Sequence, residues 1–282
     1  MPDWPEVLAP GKLVLLGEYA VLDGAPSLVI AINRGVRCEI LPGEGIETPD
    51  GDTRFVAPAL ATAPKARYRF SNWNPVDLPG KPGFGGSAAA CVAACVAAGR
   101  PATDAFSIHH QVQGGGSGID VAASVHGGTL RFQSGNVSPA RALLPSVIYS
   151  GQSAKTGPRV RQYRAWSDET ARAAFIERSA ELVDLADSDP ITALRENGRL
   201  LEEMAAAVGL AYMTGSLSQI IALAEARGGT AKASGAGGGD CAVAVFPDEE
   251  RRTDFERACD GAGFPPIPVA MADGACIAER SR

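Results

Sequence analysis

The stretch of this sequence with the clearest chemical meaning is a glycine-rich cluster at residues 83–87, which leads into an alanine-rich segment of high helix propensity. Glycine lets the backbone approach a ligand closely, and the first N–H groups of a helix attract an anion. The cluster therefore predicts a loop that binds a polyphosphate. Ser87 stands where the helix should begin, so it would cap that helix or reach a metal ion. A glycine turn before a buried helix is the alternative.

The spacing within this cluster excludes two common phosphate-binding loops. No Lys-Ser or Lys-Thr pair follows the glycines, as a Walker A loop requires. Position 88 is alanine, where a dinucleotide-binding fingerprint has its third glycine. A phosphate-binding loop at this position would therefore have a different design.

Two further clusters and one lysine complete the set of candidate groups. Residues 113–120 form a second glycine cluster that ends in Asp120, and residues 232–241 form a third cluster before a strand-like apolar run. Lys12 lies in a Pro-Gly-Lys turn. Phosphoryl transfer needs amide donors, a divalent cation, a cationic group at the transferred phosphate and, in some cases, a base for the acceptor. The sequence offers a candidate for each part.

Length and charge limit the class of protein. The chain has 282 residues, of which 45% are apolar, and this predicts a soluble core in two domains or in one large domain. Lys and Arg number 26 and Asp and Glu number 32, so the net charge is −6. A nucleic-acid-binding protein would more often show a basic excess, so we expect no nucleic-acid partner.

The compartment follows from three further features. The longest uncharged apolar run, residues 88–98, is too short to span a bilayer. The N-terminal residues lack the basic segment and cleavage site of a signal peptide. Six cysteines are scattered without C-x-x-C spacing, as expected for reduced thiols. We therefore expect a cytoplasmic protein with no membrane partner.

Strand and helix patterns alternate irregularly, which predicts an α+β fold. Apolar runs at residues 27–32 and 35–40 predict two strands of a meander, and residues 268–277 predict a closing strand. Helical patterns dominate after about residue 145. Ser167 and Asp104 are the expected caps of two helices. The predicted subdomains are residues 1–145 and residues 146–282.

In this order, the three clusters and the lysine turn resemble the GHMP small-molecule kinases, which include galactokinase, homoserine kinase, mevalonate kinase and phosphomevalonate kinase. The first family motif is similar to residues 9–13 together with residues 17–21. The second, normally G-L-G-S-S-A-A, is similar to residues 83–89, and the third to residues 234–239. The resemblance spans most of the chain, and three motifs together are far more specific than one.

Within this family the chain is most similar to phosphomevalonate kinases. Tyr19 stands where mevalonate kinases usually have histidine, and residues 113–124 resemble the Q-G-x-x-G-S-G-x-D-V-A-A segment of phosphomevalonate kinases. The resemblance implies transfer of a phosphoryl group from ATP, with Mg²⁺, to phosphomevalonate. The products would be mevalonate diphosphate and ADP, in the mevalonate pathway of isoprenoid biosynthesis.

The resemblance also implies a two-subdomain GHMP kinase fold, with a nucleotide-binding N-terminal subdomain like the second domain of ribosomal protein S5 and a ferredoxin-like C-terminal subdomain. Asp120 would deprotonate or orient the acceptor, and Lys12 would pair with Asp120 or neutralise charge at the transferred group. The ATP phosphates would contact Gly83, Phe84, Gly85, Gly86, Ser87 and Ala88, with Ser87 also a ligand of Mg²⁺. The acceptor would contact Tyr19, Gly116, Ser117, Gly118, Lys155, Ser234, Gly235, Ala236 and Gly237.

Several features depart from the family pattern. Gly86 replaces the first serine of the second motif, and only 70 residues separate Lys12 from Gly83, which is short for the family. His109 occupies a position where mevalonate-kinase-like proteins often have a metal-binding glutamate; a helix face with no catalytic role is the simpler interpretation. The basic run within residues 155–164 is a solvated face or a docking site for a phosphate on the acceptor.

Other functions remain open at this point. The same fold could phosphorylate mevalonate or another small alcohol, or it could belong to a diphosphomevalonate-decarboxylase-like enzyme, which also uses ATP. A catalytically silent GHMP-fold protein that binds a small ligand is an alternative of a different class. The intact Lys12, Ser87 and Asp120 argue against the silent protein. A monomer or a homodimer is expected.

Overall fold

Two β-sheets and nine α-helices form the described part of this computed structural model, which comprises residues 5–278. The strands are β1 (Glu6–Leu16), β2 (Ser27–Leu41), β3 (Gly45–Glu47), β4 (Arg67–Trp73), β5 (Thr129–Gln133), β6 (Asn136–Pro139), β7 (Ser146–Tyr149), β8 (Thr230–Ala233), β9 (Cys241–Val245) and β10 (Cys276–Ala278). The helices are α1 (Ala57–Leu60), α2 (Gly86–Ala97), α3 (Asp104–Gln113), α4 (Ile119–His126), α5 (Thr156–Arg164), α6 (Glu169–Leu185), α7 (Pro190–Ala207), α8 (Gly215–Glu225) and α9 (Glu249–Gly261). A short 3₁₀ helix spans Ala20–Asp23.

The larger sheet has seven strands and is built around β2, which pairs with β1, β4 and β5. The prediction of two strands at residues 27–32 and 35–40 is wrong, because β2 continues through both runs. Ala9 pairs with Val36 and Gly11 pairs with Ile32, so three residues of β2 lie opposite the single Pro10 of β1. The gap at residues 33–34, between the two predicted strands, is therefore part of a bulge within one strand.

Helices α2 and α4 pack against β1 and β2, and α3 packs against α2. Small side chains allow α2 to approach the sheet closely, since Ala88, Ala89 and Ala93 are fully buried. The N-terminal ends of α2 and α4 thereby come to lie beside Lys12 of β1. All six cysteines are free thiols, and five of them are buried.

The smaller sheet has the strand order β7–β9–β8, and α7, α8 and α9 pack against its strands. It begins at Ser146, but β10 from the far end of the chain pairs with β1 of the larger sheet. A boundary at residue 145 would therefore separate β10 from the sheet that it joins. The closing strand predicted at residues 268–277 is reduced to β10, because only isolated bridges at Met271 and Asp273 precede it.

Two helix caps differ from the predicted ones. Asp168 rather than Ser167 caps α6, and its carboxylate accepts a 2.9 Å hydrogen bond from the backbone N–H of Ala171. Asp104 is the first residue of α3 instead of its cap, and its carboxylate pairs with Arg100 at 2.8 Å. Within residues 5–278, no helix has both the length and the apolar content needed to cross a membrane.

Candidate active site

Lys12 joins the glycine loop at residues 83–87 to the first turn of α4. Its backbone N–H donates to the carbonyl of Phe84 at 2.9 Å, and its ammonium donates to the carbonyl of Gly83 at 3.2 Å. The same ammonium lies 3.6 Å from Oδ1 of Asp120. The structure therefore brings together a lysine, an aspartate and a glycine loop that the sequence places far apart.

The glycine loop depends on glycine at two positions. Gly83 and Gly85 have φ angles of 79° and 75°, a backbone region that favours glycine. A Cβ at Gly85 would lie 3.2 Å from Cε of Lys12 and 3.3 Å from Oδ2 of Asp120. A Cβ at Gly83 would lie 2.5 Å from Oδ2 of Asp240. The loop thus leaves room for charged side chains as well as for a close ligand.

Asp120 is the second residue of α4, which begins at Ile119 directly after Gly118, a residue with left-handed backbone angles. It does not cap the helix, and its side chain is 35% exposed while that of Lys12 is 10% exposed. The N-terminus of a helix stabilises negative charge. A carboxylate in this position is both open to an acceptor and held beside a cation.

Ser87 lies within the first turn of α2, but Gly85 is the N-cap residue. The hydroxyl of Ser87 instead lies 3.2 Å from Nε2 of His109, whose ring stacks on Phe55. Burial lowers the pKa of His109, and the nearby Asp120 carboxylate acts against that shift. The His109 side chain is thus buried in contact with both Ser87 and Phe55.

The residues beside the glycine loop fit a magnesium ion that is held mainly by nucleotide. Mg²⁺ prefers oxygen ligands, keeps several waters and uses one or two carboxylates together with substrate phosphates. The carboxylate of Asp120 and the hydroxyl of Ser87 are oxygen donors of this kind. No group of three or more His, Cys, Asp or Glu side chains among the described residues could hold a metal by itself.

The third cluster connects the smaller sheet to β1 and to the 3₁₀ segment. Ser234 donates through its hydroxyl to the carbonyl of Val14 at 3.0 Å and accepts from the Val14 N–H at 3.1 Å. The hydroxyl of Tyr19 donates to the carbonyl of Ala236 at 2.6 Å, and burial raises the pKa of this tyrosine. A Cβ at Gly237 would collide with the ring of Tyr212 at 2.1 Å. These contacts fix the cluster against the site.

Lys12 and Asp120 also line a cavity of about 530 Å³, and no residue of the glycine loop is part of that lining. Of the predicted site residues, those that line it are Lys12, Tyr19, Gly116, Ser117, Gly118, Asp120, Gly235 and Ala236. The predicted residues 83–88 lie outside this lining, in the glycine loop and the first turn of α2. Ser234, Gly237 and Lys155 do not line the cavity: the hydroxyl of Ser234 is bound to β1, and Lys155 is exposed just before α5.

Sequence reasoning missed a second lysine–carboxylate pair beside this cavity. The ammonium of Lys232 donates to Oε1 of Glu18 and to the carbonyl of Ala233, and the backbone N–H of Gly235 also points to Oε1. Glu18 lines the cavity, and its buried Oε2 has no hydrogen-bond partner. The sequence feature that could have indicated this pair is that Glu18 lies within the first motif and Lys232 just before the third.

The sequence is similar to those of known kinases. A family model described as "GHMP kinases C terminal" matches residues 190–264. The chain is 26% identical to a phosphomevalonate kinase of Streptomyces sp. (strain CL190), with 94% of this chain and 96% of that protein covered. It is also 26% identical to a mevalonate kinase of Thermococcus onnurineus, with 94% and 95% covered.

Solved structures show the same fold. A Lin0012 protein from Listeria innocua superposes with a TM-score of 0.85 at 24% identity, covering 98% of this chain and 99% of that one. The Streptococcus pneumoniae phosphomevalonate kinase, in complex with phosphomevalonate and AMPPNP, superposes with a TM-score of 0.74 at 19% identity, covering 95% and 99%. Residues 190–264 thus match the C-terminal domain of the GHMP kinases, and the chain has the two-sheet α+β fold of its kinase neighbours among the solved structures.

Proposed function

We propose that this protein transfers the γ-phosphoryl group of ATP to phosphomevalonate, giving mevalonate diphosphate and ADP. The observation that carries the proposal is the Lys12–Asp120 pair, which lies between a glycine loop and a cavity of about 530 Å³. ATP phosphates on the loop and an acceptor in the cavity would meet at this pair. The cavity is large enough for a small branched acid.

Three features support phosphomevalonate as the acceptor. Residues 113–124 resemble the corresponding segment of phosphomevalonate kinases, and Tyr19 replaces the histidine that is usual in mevalonate kinases. A relative named phosphomevalonate kinase matches nearly the whole chain, and the structurally similar Streptococcus pneumoniae enzyme is described in complex with phosphomevalonate. The loop at residues 115–118 also offers amide donors along the cavity.

Mevalonate is the second candidate acceptor, and two observations favour it. Several mevalonate kinases match the chain at a similar identity. Among the described residues that line the cavity, Lys12 is the single Lys or Arg side chain, whereas a phosphorylated acceptor brings additional negative charge. The choice between the two acceptors therefore needs a direct assay.

The residues of the chain suggest how the transfer would proceed. An oxygen of the acceptor phosphate attacks the γ-phosphorus of ATP, and the bond to the bridging oxygen of ADP breaks. The ammonium of Lys12 offsets negative charge on the transferred group. Because a phosphate monoester is largely ionised near pH 7, Asp120 would orient it through a shared proton or the lysine instead of removing a proton. Mg²⁺, held by Ser87, Asp120 and the nucleotide, would supply further charge neutralisation.

The test is ADP release by the purified protein with ATP and Mg²⁺, measured separately with phosphomevalonate, mevalonate, diphosphomevalonate, homoserine and galactose. We expect kcat/KM for phosphomevalonate to exceed that for mevalonate by about a hundredfold, which corresponds to two charge-assisted contacts. Faster turnover of mevalonate would identify mevalonate as the acceptor, and the proposed kinase activity would still hold. No turnover of any acceptor would favour a silent ligand-binding protein.

A further inference from the structure

Two side chains of helix α5 line the cavity, and a third side chain of the helix lies next to them. Thr156 and Val160 both line the cavity and are four residues apart. Residues four apart lie on one face of a helix, so Arg164, the last residue of α5, continues this row. The row ends near the loop between α3 and α4, whose residues 115–118 also line the cavity.

The guanidinium of Arg164 lies against this loop. A Cβ placed on Gly115 would be 3.7 Å and 3.8 Å from its two terminal nitrogens. Gly115 and Gly116, which line the cavity, have φ angles of 127° and 124°, so only glycine fits readily there. The arginine thus stands at the edge of the cavity with no bulky side chain from this loop between them.

Arg164 is also uncommitted. Its side chain forms no hydrogen bond or ion pair with any residue between 5 and 278. The other arginines of α5 point elsewhere: Arg159 donates to the carbonyl of Ala211 beside the third cluster, and Arg161 lies over Gly157 of its own helix. An unpaired guanidinium offers a planar fork of donors that suits a carboxylate.

The position of Arg164 along the cavity identifies the part of the acceptor that it would meet. In the proposed function the transferred group would lie at Lys12 and Asp120, which border the glycine loop at Gly85. Arg164 borders a different stretch of the lining, at Gly115. Phosphomevalonate and mevalonate both carry a carboxylate at the end of the carbon chain opposite to the group that is phosphorylated.

We propose that Arg164 binds the carboxylate of the acceptor and so selects small acids over neutral alcohols. This inference rests on the proposed function, because it takes the acceptor to be phosphomevalonate or mevalonate. Arg164 is a binding residue in this proposal and takes no part in the transfer itself. Its loss should therefore raise KM for the acceptor far more than it lowers kcat.

The experiment compares Arg164→Gln with the wild-type protein on three acceptors: phosphomevalonate, mevalonate, and a phosphomevalonate analogue in which a primary alcohol replaces the carboxylate. Arg161→Gln is the matched control, because it removes the same charge from the same helix. We expect Arg164→Gln to lose about tenfold or more in kcat/KM with each acid that the wild type accepts, and to show no loss with the alcohol analogue, which keeps the phosphate but lacks the carboxylate. Arg164→Lys should recover part of the loss, and Arg161→Gln should stay within about twofold of wild type.

Each other outcome contradicts the proposal in a recognisable way. An equal loss with all three acceptors would mean a structural role for Arg164. A loss confined to the two phosphorylated compounds would assign the arginine to the phosphate. Unchanged kinetics would make it a solvated residue. If the wild-type protein turns over neither acid, the proposed function itself fails, and the inference about Arg164 fails with it.

Discussion

Two lysine–carboxylate pairs lie beside the same cavity, and they differ in how much water reaches them. The side chains of Lys12 and Asp120 are 10% and 35% exposed, and their charged atoms are 3.6 Å apart. The side chains of Lys232 and Glu18 are 1% and 3% exposed and are in direct contact. Burial lowers the pKa of Lys232, and the Glu18 carboxylate acts against that shift.

The difference separates a pair that can act on a substrate from a pair that holds the protein together. Lys12 is buried but Asp120 is partly exposed, so this open pair leaves the carboxylate accessible to an acceptor with the ammonium beside it. The ammonium of Lys232 also donates to the backbone carbonyl of Ala233, and its bond to Glu18 joins β8 to the segment after β1. A buried charge is costly to leave without its partner. A lysine beside a carboxylate is therefore expected to act in catalysis in the exposed pair and to stabilise the fold in the buried pair.

The largest expected effect concerns the buried pair. Lys232→Met leaves the Glu18 carboxylate buried without its counterion, so the free energy of unfolding should fall by about 3–5 kcal/mol. Urea unfolding followed by circular dichroism measures this change. The double variant Glu18→Gln with Lys232→Met should recover a large part of the loss. A single-variant loss below about 1 kcal/mol would show that the pair is not structural.

Lys12→Met tests the open pair with the opposite expectation. Removal of the cation at the transferred phosphate should lower kcat by about 100-fold, the range of a single lost electrostatic donor. Stability should change by less than about 1 kcal/mol, because the Asp120 carboxylate left without its partner is 35% exposed and can be solvated by water. Steady-state kinetics and urea unfolding on one preparation measure both quantities. Unfolding comparable to that of Lys232→Met would erase the distinction between the two pairs.

Gly85→Ala tests the open pair in another way, because it places a methyl group next to Lys12 and Asp120. The new Cβ would lie within 3.3 Å of Lys12 and Asp120, so kcat/KM should fall by about tenfold. Gly99→Ala is the matched control, because Gly99 has a similar φ of 71° and no atom within 4 Å of a Cβ. Both variants should lose about 1 kcal/mol of stability from backbone strain. Equal activity in the two variants would mean that the contact at Gly85 is unimportant.

The smallest expected effect concerns Asp240, which borders the loop at Gly83. Burial raises the pKa of Asp240, so over the window above the usual carboxyl pKa the folded protein keeps a proton that the unfolded chain has lost. Stability from this group therefore falls as the pH rises through that window. Asp240→Asn should remove this fall and give a slight gain at neutral pH, measured by thermal unfolding from pH 4 to pH 7. An activity loss as large as that of Lys12→Met would place Asp240 in the reaction.

Local sequence patterns predicted the glycine loop, Lys12 and Asp120, which belong to short motifs. Glycines before an alanine-rich helix indicated the loop, and the structure places Lys12 and Asp120 beside it. The α+β class followed from the irregular alternation of strand and helix patterns. Such features are readable because backbone conformation and close approach demand particular residues at fixed spacing.

The features that sequence reasoning missed depend on tertiary contacts. Glu18 and Lys232 are 214 residues apart, and no periodic pattern links a buried lysine to its carboxylate. His109 is half of a contact with Ser87 that exists only because α3 packs against α2. The bulge in β2 arises from pairing with β1, which local turn residues cannot reveal.

The central claim is that Lys12 and Asp120 carry phosphoryl transfer from ATP to a small acid. The most direct test is a single-turnover, rapid-quench experiment with γ-labelled ATP, Mg²⁺ and phosphomevalonate, using wild type and Asp120→Asn. We expect label in mevalonate diphosphate with the wild type, and transfer at least about 100-fold slower in the variant at unchanged nucleotide affinity. Transfer by Asp120→Asn at the wild-type rate would contradict the account.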